Sequence, residues 1–411
     1  MQPHTDPQPD PTPASVPASP DVTGYCDGSA SAPLHAAVAT AMDVAQRQCW
    51  GNPSSIHTHG SMAAEAMERA RLQVAALVGV SPDWVTFTSG GTEANHLALE
   101  GLLADRPAGR LLISAVEHPA MALPARRLGQ AGWKLETIPV DGEGLLDLQA
   151  LEVQLRQGAD LVSVIGGQSE VGTLQPLAAI SDICHHHAVP FHSDAVQLAG
   201  KVPLAMGRQG PDLLSLSAHK FMGPKGVGAL VADPALPLSP RLLGGSQEAG
   251  RRAGTQPVPL IVGMGVACAV SLDTASEAME RVGQLRDRLL EDCLKRPGMT
   301  LTGPRLQRLP HHISLLVGTP QGEPLDGRAL VRGLNREGFS VSSGSACAAG
   351  QSGDSPVLTA MGIPSPWRRS GLRISLGPWV SETRVLQLPS TLDRVRRESG
   401  LVRATDLRAS S

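Results

Sequence analysis

Apolar residues along this chain recur in two rhythms. Between residues 34 and 78 they return every three or four positions, which predicts amphipathic helices over about 34–49 and 60–78. The second carries Met62, Ala66, Ala70, Val74 and Leu77 on one stripe, and the turn Gly51-Asn52-Pro53-Ser54-Ser55 separates the two. Past residue 84, short unbroken apolar runs alternate with helical stretches. Strands are predicted at 85–88, 111–116, 135–140, 161–165, 189–193, 213–216 and 227–231. Helices are predicted from 89–93 to about 104, after Pro119, and at 147–157 and 176–188. Apolar strands separated by helices read as an α/β fold, a mainly parallel sheet covered on both faces.

The pattern shifts near 260–270. A long helix is expected over 273–294, with Ala275, Met279, Val282, Leu285, Leu289 and Cys293 along one side. Extended pieces at 299–302 and 313–317, a helix at 327–337, a glycine-rich loop at 342–353 and a strand at 372–376 follow. The expected division is a proline-rich tail over 1–22, a large domain over 23–265 whose first segment packs with the other unit, and a smaller α+β domain over 266–411. At 411 residues the chain exceeds the roughly 250–300 at which one core stops growing, so two domains are the natural reading.

Composition narrows the function. Aromatic residues are only 2%, so the core must be built from Leu, Val, Ala and Gly. A net charge of −3 offers no basic field for nucleic acid or an anionic membrane, which favours a small-molecule substrate. The apolar run at 260–270 is 11 residues long, well short of the roughly 18 that would predict a span. Six scattered cysteines without a CxxC pair fit reduced thiols in a cytoplasmic setting rather than a zinc site or disulfide framework. The seven prolines within residues 1–20 predict a disordered tail without an apolar signal core.

Three stretches carry candidate chemistry where strands give way to loops, the rim on which open α/β sheets bind ligands. Thr88-Ser89-Gly90-Gly91-Thr92-Glu93 passes from strand through glycines into helix, and serves equally as a phosphate cradle or a capping box. Asp194, in Phe191-His192-Ser193-Asp194, ends an apolar strand: it either caps the next helix or faces a cation such as a protonated pyridine. Lys220, in Ser215-Leu216-Ser217-Ala218-His219-Lys220 before Gly223-Pro224-Lys225-Gly226, is either an ordinary strand-end lysine or a Schiff-base amine. An amine, an anion cradle and a carboxylate together are what pyridoxal phosphate asks for.

Taken with Gly51-Asn52-Pro53-Ser54-Ser55-Ile56-His57, Glu117-His118-Pro119-Ala120, Ser193-Asp194-Ala195-Val196-Gln197, Arg251-Arg252-Ala253-Gly254-Thr255, Ser342-Ser343-Gly344-Ser345-Ala346-Cys347 and Leu372-Arg373-Ile374-Ser375-Leu376-Gly377, the chain resembles the NifS/IscS-type cysteine desulfurases from about residue 24 to 377. These belong to the class V, fold-type I pyridoxal-phosphate enzymes. The resemblance implies a seven-stranded sheet and a homodimer acting on L-cysteine. Lys220 would hold the cofactor and move the substrate proton, Asp194 would pair with the ring nitrogen, His118 would stack on the ring, and Gln197 would bond its phenolic oxygen. Gly91, Thr92, Ser217 and His219 would hold the phosphate, joined by Thr255 from the partner subunit. Arg373 would clamp the substrate carboxylate. Cys347 would take the sulfur as a persulfide and pass it to an iron–sulfur scaffold or sulfur carrier, alanine being the other product.

The likeness departs at Ser169, where relatives carry an asparagine that touches ring and substrate. A serine there reaches less far and brings cysteine specificity into question. Paired threonines are missing from Gly28-Ser29-Ala30-Ser31, and Ala249 replaces an arginine. Competing readings are another class V enzyme, namely a selenocysteine or cystine lyase or a small-molecule aminotransferase, and a degenerate non-catalytic homologue. Cys184-His185-His186-His187 is read as structural, since adjacent helical residues face apart and cannot share one ion, and His57 and His59 likewise. No metal is expected.

Overall fold

The computed structural model describes residues 21–344 and 354–409, with backbone alone at 274–276 and 399–409. The 1–20 tail, most of the 342–353 loop and Cys347 lie outside the described residues, and Ala275 is described by its backbone only.

Seven strands form the large sheet: β1 (Val85–Thr88), β2 (Arg110–Ser114), β3 (Lys134–Ile138), β4 (Leu161–Ile165), β5 (Phe191–Asp194), β6 (Leu213–Ser217) and β7 (Gly228–Ala232). Their order is β1-β7-β6-β5-β4-β2-β3, and only β7 runs against its neighbours. The helices between are α1 (Ala36–Gln48), α2 (Thr58–Val78), α3 (Gly91–His96), α4 (Pro119–Gln130), α5 (Leu148–Leu155), α6 (Leu177–His186) and α7 (Val258–Leu294). Alternate residues explain why the strand runs are apolar throughout. Leu214, Leu216, Ala229 and Val231 face a core with α2 and α7, whereas Leu213, Leu230 and Ala232 face one with α3 and α4. One polar group inside this sheet is paired on both sides: buried His192 bridges Ser163 Oγ and Ser215 Oγ, each at 2.9 Å, across three strands. Burial pushes its ring down to about 3, so it stays neutral at physiological pH.

A three-stranded antiparallel sheet follows, ordered β10-β9-β8 from β8 (Met299–Leu301), β9 (His312–Val317) and β10 (Gly371–Ser375). The second half of α7, α8 (Gly327–Arg336) and the helix Leu388–Ala409 cover it, with Val282, Leu289, Leu330, Leu334 and Leu392 in its core. Cys26 from the first described segment joins that core, and Asp27 bridges to Ser375 beside β10.

The long helix begins at Val258 rather than at 273. The glycines that broke the apolar pattern are close-approach points: a Cβ on Gly263 would lie 2.8 Å from Met42 of α1, and one on Gly265 2.6 Å from Ala70 Cα of α2. Its first half, through Ile261, Met264 and Cys268, therefore belongs to the core beneath the large sheet.

One buried ion pair ties α2 to the loop before α7. Arg71 Nη1 donates to Glu248 Oε2 at 2.8 Å and to the Val85 carbonyl at 2.8 Å, and Glu248 Oε2 also accepts from Phe87 N at 2.9 Å. The pair holds Glu248 and Ala249 in left-handed conformations, φ 51° and 54°. Replacing Arg71 with Ala strands a buried carboxylate and is expected to cost about 3 kcal/mol in urea-monitored stability. A loss below about 1 kcal/mol would show that the pair is dispensable.

Candidate active site

A cavity of about 350 Å3, within the range small-molecule sites occupy, opens at the carboxyl ends of β4, β5 and β6 and is closed by Arg373 of β10. Gly91, Thr92, Asn95, His118, Ser169, Asp194, Gln197, Ser217, His219, Lys220 and Arg373 line it, with Ser29 and Ala30. The structure thus brings together the residues picked from sequence, with two exceptions. Thr255 is exposed and does not line the cavity, and Cys347 is outside the described residues.

Lys220 sits in a tight turn directly after β6. Its Nζ donates to the carbonyls of Ser29 at 2.8 Å and Ala30 at 2.9 Å, so the amine is aimed rather than free to swing. Met222, two residues on, holds a left-handed conformation at φ 63°, a strained arrangement of the kind found beside functional groups. His219 meets Ser31 Oγ at 3.2 Å, and burial, with the charge of Lys220 adding to it, pushes the ring down to about 4. Neutral His219 offers one donor and one acceptor at physiological pH.

Asp194 ends β5 and is buried. Its Oδ1 accepts from Val196 N at 3.0 Å and its Oδ2 from Asn95 Nδ2 at 2.8 Å, so it caps the following turn and faces the cavity at once. The helix-capping reading of Asp194 does not hold, since a turn rather than a helix follows β5. Asn95 went unremarked in the sequence; its signal is helical spacing, one turn beyond Gly91 on the face that turns toward Asp194. The cradle before α3 is built on Gly90, whose φ of 155° and ψ of −178° are essentially glycine-only. No Thr or Ser caps α3: Gly90 is its N-cap, while Glu93 reaches back to Ser89 N at 2.7 Å. A π-wound turn, Leu97–Gly101, continues the helix.

His118 caps α4, its Nδ1 accepting from Ala120 N at 3.1 Å, which leaves Nε2 to carry the proton of a neutral ring. Glu117 beside it is fully buried; Ser114 Oγ and Ile165 N each donate to its Oε1 at 2.6 Å. Burial, reinforced by the charge of Asp194, pushes this carboxyl up to about 8. Gln197 Nε2 donates to the Ser29 carbonyl at 2.8 Å. Arg373 donates from Nη2 to Asp27 Oδ1 at 2.9 Å and from Nη1 to the Ser169 carbonyl at 3.0 Å. His312 Nε2 meets the same Ser169 carbonyl at 3.1 Å.

The cavity fits pyridoxal phosphate on its own chemistry. A Cβ on Gly91 would lie 2.6 Å from Val196 Cγ2, so only a bare backbone leaves room at the helix start for a phosphate. Among the described residues buried Asn95 Oδ1 and Gln197 Oε1 have no hydrogen-bond partner, and the Asp194 carboxylate and Lys220 amine converge on the same space. The histidines set aside as structural have other partners. His185 meets Asp212 and His187 meets Glu152, each at 3.0 Å, while Cys184 is buried in the core. His57 caps α2 and His59 stacks on Trp50 at 4.8 Å.

Residues 24–388 match the family model for class-V aminotransferases, and the chain belongs to that family of pyridoxal-phosphate enzymes. Its similar relatives are more specific. The chain is 38% identical over 376 residues to cysteine desulfurase IscS of Dictyoglomus turgidum, covering 91% of this chain and 93% of that one. It is 40% identical over 380 residues to a cysteine desulfurase of Cereibacter sphaeroides, covering 90% and 96%. Among solved structures, a NifS-like protein superimposes with TM-score 0.83 at 32% identity, over 92% of this chain and 99% of the other. SspA in complex with cysteine gives TM-score 0.76 at 30% identity, over 87% and 100%. The fold matches the α/β, fold-type I expectation.

Glu117 has a direct test. The folded chain keeps its proton up to about pH 8, whereas an unfolded carboxyl releases it near the ordinary 4.5. Its stabilising contribution is therefore fully present below pH 4.5 and lost as the pH rises toward 8. Glu117→Gln should flatten the fall in urea-measured stability across that window; an unchanged slope would mean that Glu117 is ionised in the folded protein.

Proposed function

We propose that this protein is a cysteine desulfurase that removes sulfur from L-cysteine and leaves alanine. The observation that carries the reading is the convergence of Lys220, Asp194 and the Gly90–Thr92 helix start on one cavity, with Arg373 closing it, in a chain similar over nine-tenths of its length to cysteine desulfurases.

In this reading pyridoxal phosphate supplies the aldehyde and the electron-withdrawing ring. Gly91, Thr92, Ser217 and His219 would hold its phosphate, Asp194 would pair with its ring nitrogen, His118 would stack on the ring and Gln197 would bond its phenolic oxygen. Lys220, aimed by the Ser29 and Ala30 carbonyls, takes the proton from the substrate α-carbon. Arg373 receives the substrate carboxylate; its buried Nε, which makes no hydrogen bond among the described residues, is available as a further donor. Ser169 contributes its carbonyl to orient Arg373 and itself lines the cavity. Cys347 attacks as a thiolate: a sulfur–sulfur bond forms, the substrate carbon–sulfur bond breaks, and its electron pair stays with the carbon, which takes a proton to become alanine. The persulfide on Cys347 then passes its outer sulfur to a protein acceptor, an iron–sulfur scaffold or a sulfur carrier.

The working form is a homodimer in which Thr255 of one subunit reaches the phosphate of the other. Thr255 is exposed in the single chain, and exposed Trp50, Ile56 and Leu243 offer apolar surface for such an interface. Cytoplasmic residence agrees with the five free cysteines among the described residues, none of whose helices is singly long and apolar enough to cross a membrane.

Incubation with L-cysteine should yield alanine and a protein-bound persulfide from the wild type. Cys347→Ser should lose at least about 100-fold of both, as expected on removal of a nucleophile. Sulfur transfer to a protein acceptor at the wild-type rate by that variant would rule the mechanism out. Alanine aminated from a keto acid, with no persulfide, would point to an aminotransferase instead.

A further inference from the structure

Lys201 is a basic residue that the reading above leaves unused. It follows Gly200 in the turn leaving β5, and that turn is pressed against the residue next to Lys220: a Cβ on Gly200 would lie 2.7 Å from Phe221 Cβ. The surroundings are Leu198, Ala199, Val202 and Phe221 of the main core. The Lys201 nitrogen is closed off from solvent and makes no hydrogen bond among the described residues. An ammonium in that position is costly. Burial, then the charge of Lys220, pushes the amine down to about 7.

Lys220 and His219 from the turn after β6, and His311 from the segment before β9, interact electrostatically with it, while Asp194 and Arg373 line the cavity alongside Lys220. His311 is buried with Nδ1 unpartnered, and its Nε2 meets Ser29 Oγ at 3.2 Å. Ser29 also supplies a carbonyl to Lys220. The two lysines sit on turns packed against each other and differ in their acceptors: Lys220, which lines the cavity, has two carbonyls, and Lys201 has none among the described residues.

We propose that Lys201 is a positioning residue acting through charge, sharing one proton with Lys220 so that Lys220 is available as a free amine at neutral pH. The inference rests on Lys220 being the lysine that joins the cofactor. An ammonium cannot add to an aldehyde. The Lys220 nitrogen must first give a proton to solvent or to Lys201; it then adds to the carbonyl carbon, and one water leaves. Repulsion between two close ammonium groups drives off the first proton at a lower pH than either would need alone. Without Lys201, the Ser29 and Ala30 carbonyls would hold the Lys220 proton to higher pH.

The full chain, stripped of cofactor and reloaded with pyridoxal phosphate, gives the test. The rate of borohydride-reducible attachment at Lys220, located by peptide mass, is followed against pH for wild type, Lys201→Met and Lys201→Arg. Lys201→Met should attach about tenfold more slowly near neutral pH, its profile displaced by roughly one unit to higher pH, and should reach the wild-type rate in alkali. Lys201→Arg keeps a cation in place and should stay near wild type; if it does not fold, Lys201→Gln must behave as Lys201→Met does. A Lys201→Met profile superimposed on the wild type, or slowed equally at every pH as a packing defect would be, overturns the proposal. A wild-type chain that attaches no pyridoxal phosphate at Lys220 overturns the Lys220 assignment and this proposal with it.

Discussion

The site depends on the short stretch Ser29–Ala32. The Ser29 carbonyl accepts from both Lys220 Nζ and Gln197 Nε2, the Ala30 carbonyl accepts from Lys220, and Ala32 N donates to the His219 carbonyl. The same stretch is tied to the small sheet, Ser29 N donating to Ser375 Oγ at 2.9 Å. Two residues back, Asp27 pairs with Arg373. A segment distant in sequence from the lysine therefore fixes the reach of its amine and joins the two sheets over the cavity. These carbonyls are acceptors that cannot be titrated away, so the lysine stays directed across the pH range.

Electrostatics then sort the groups around it. Burial alone carries most of this work, because charged forms are penalised in a water-poor cavity. His219 is pushed down to about 4 and His311 well below its usual range, while Glu117 is pushed up to about 8. These three are uncharged at neutral pH, while Asp194, Lys220 and Arg373 line the cavity.

Much of this was legible in the sequence because the strand runs are apolar on both faces and the ligand-facing residues lie where those runs stop. β4 begins and ends at the predicted residues, and Asp194, Ser217 and Lys220 could be placed at strand ends without coordinates. What the pattern missed has physical reasons. The early start of α7 was hidden by Gly263 and Gly265, which look like breakers and are contact points against α1 and α2. Ser29 and Ala30 act through backbone carbonyls, to which side-chain identity is almost blind. Asn95 is marked only by its helical spacing from Gly91, and Lys201 takes its place through tertiary packing that its sequence neighbours do not signal. Ser169 looked like a weakened substrate contact; its carbonyl, not its hydroxyl, meets Arg373 and His312.

The account stands on which amine occupies the cavity. The chain has five lysines, Lys134, Lys201, Lys220, Lys225 and Lys295, so covalent mapping is unambiguous. Reducing the cofactor-loaded protein with borohydride and sequencing the labelled peptide by mass spectrometry is predicted to place the pyridoxyl group on Lys220 alone, at about one per chain. A label on Lys201, or spread over the exposed lysines, would contradict it.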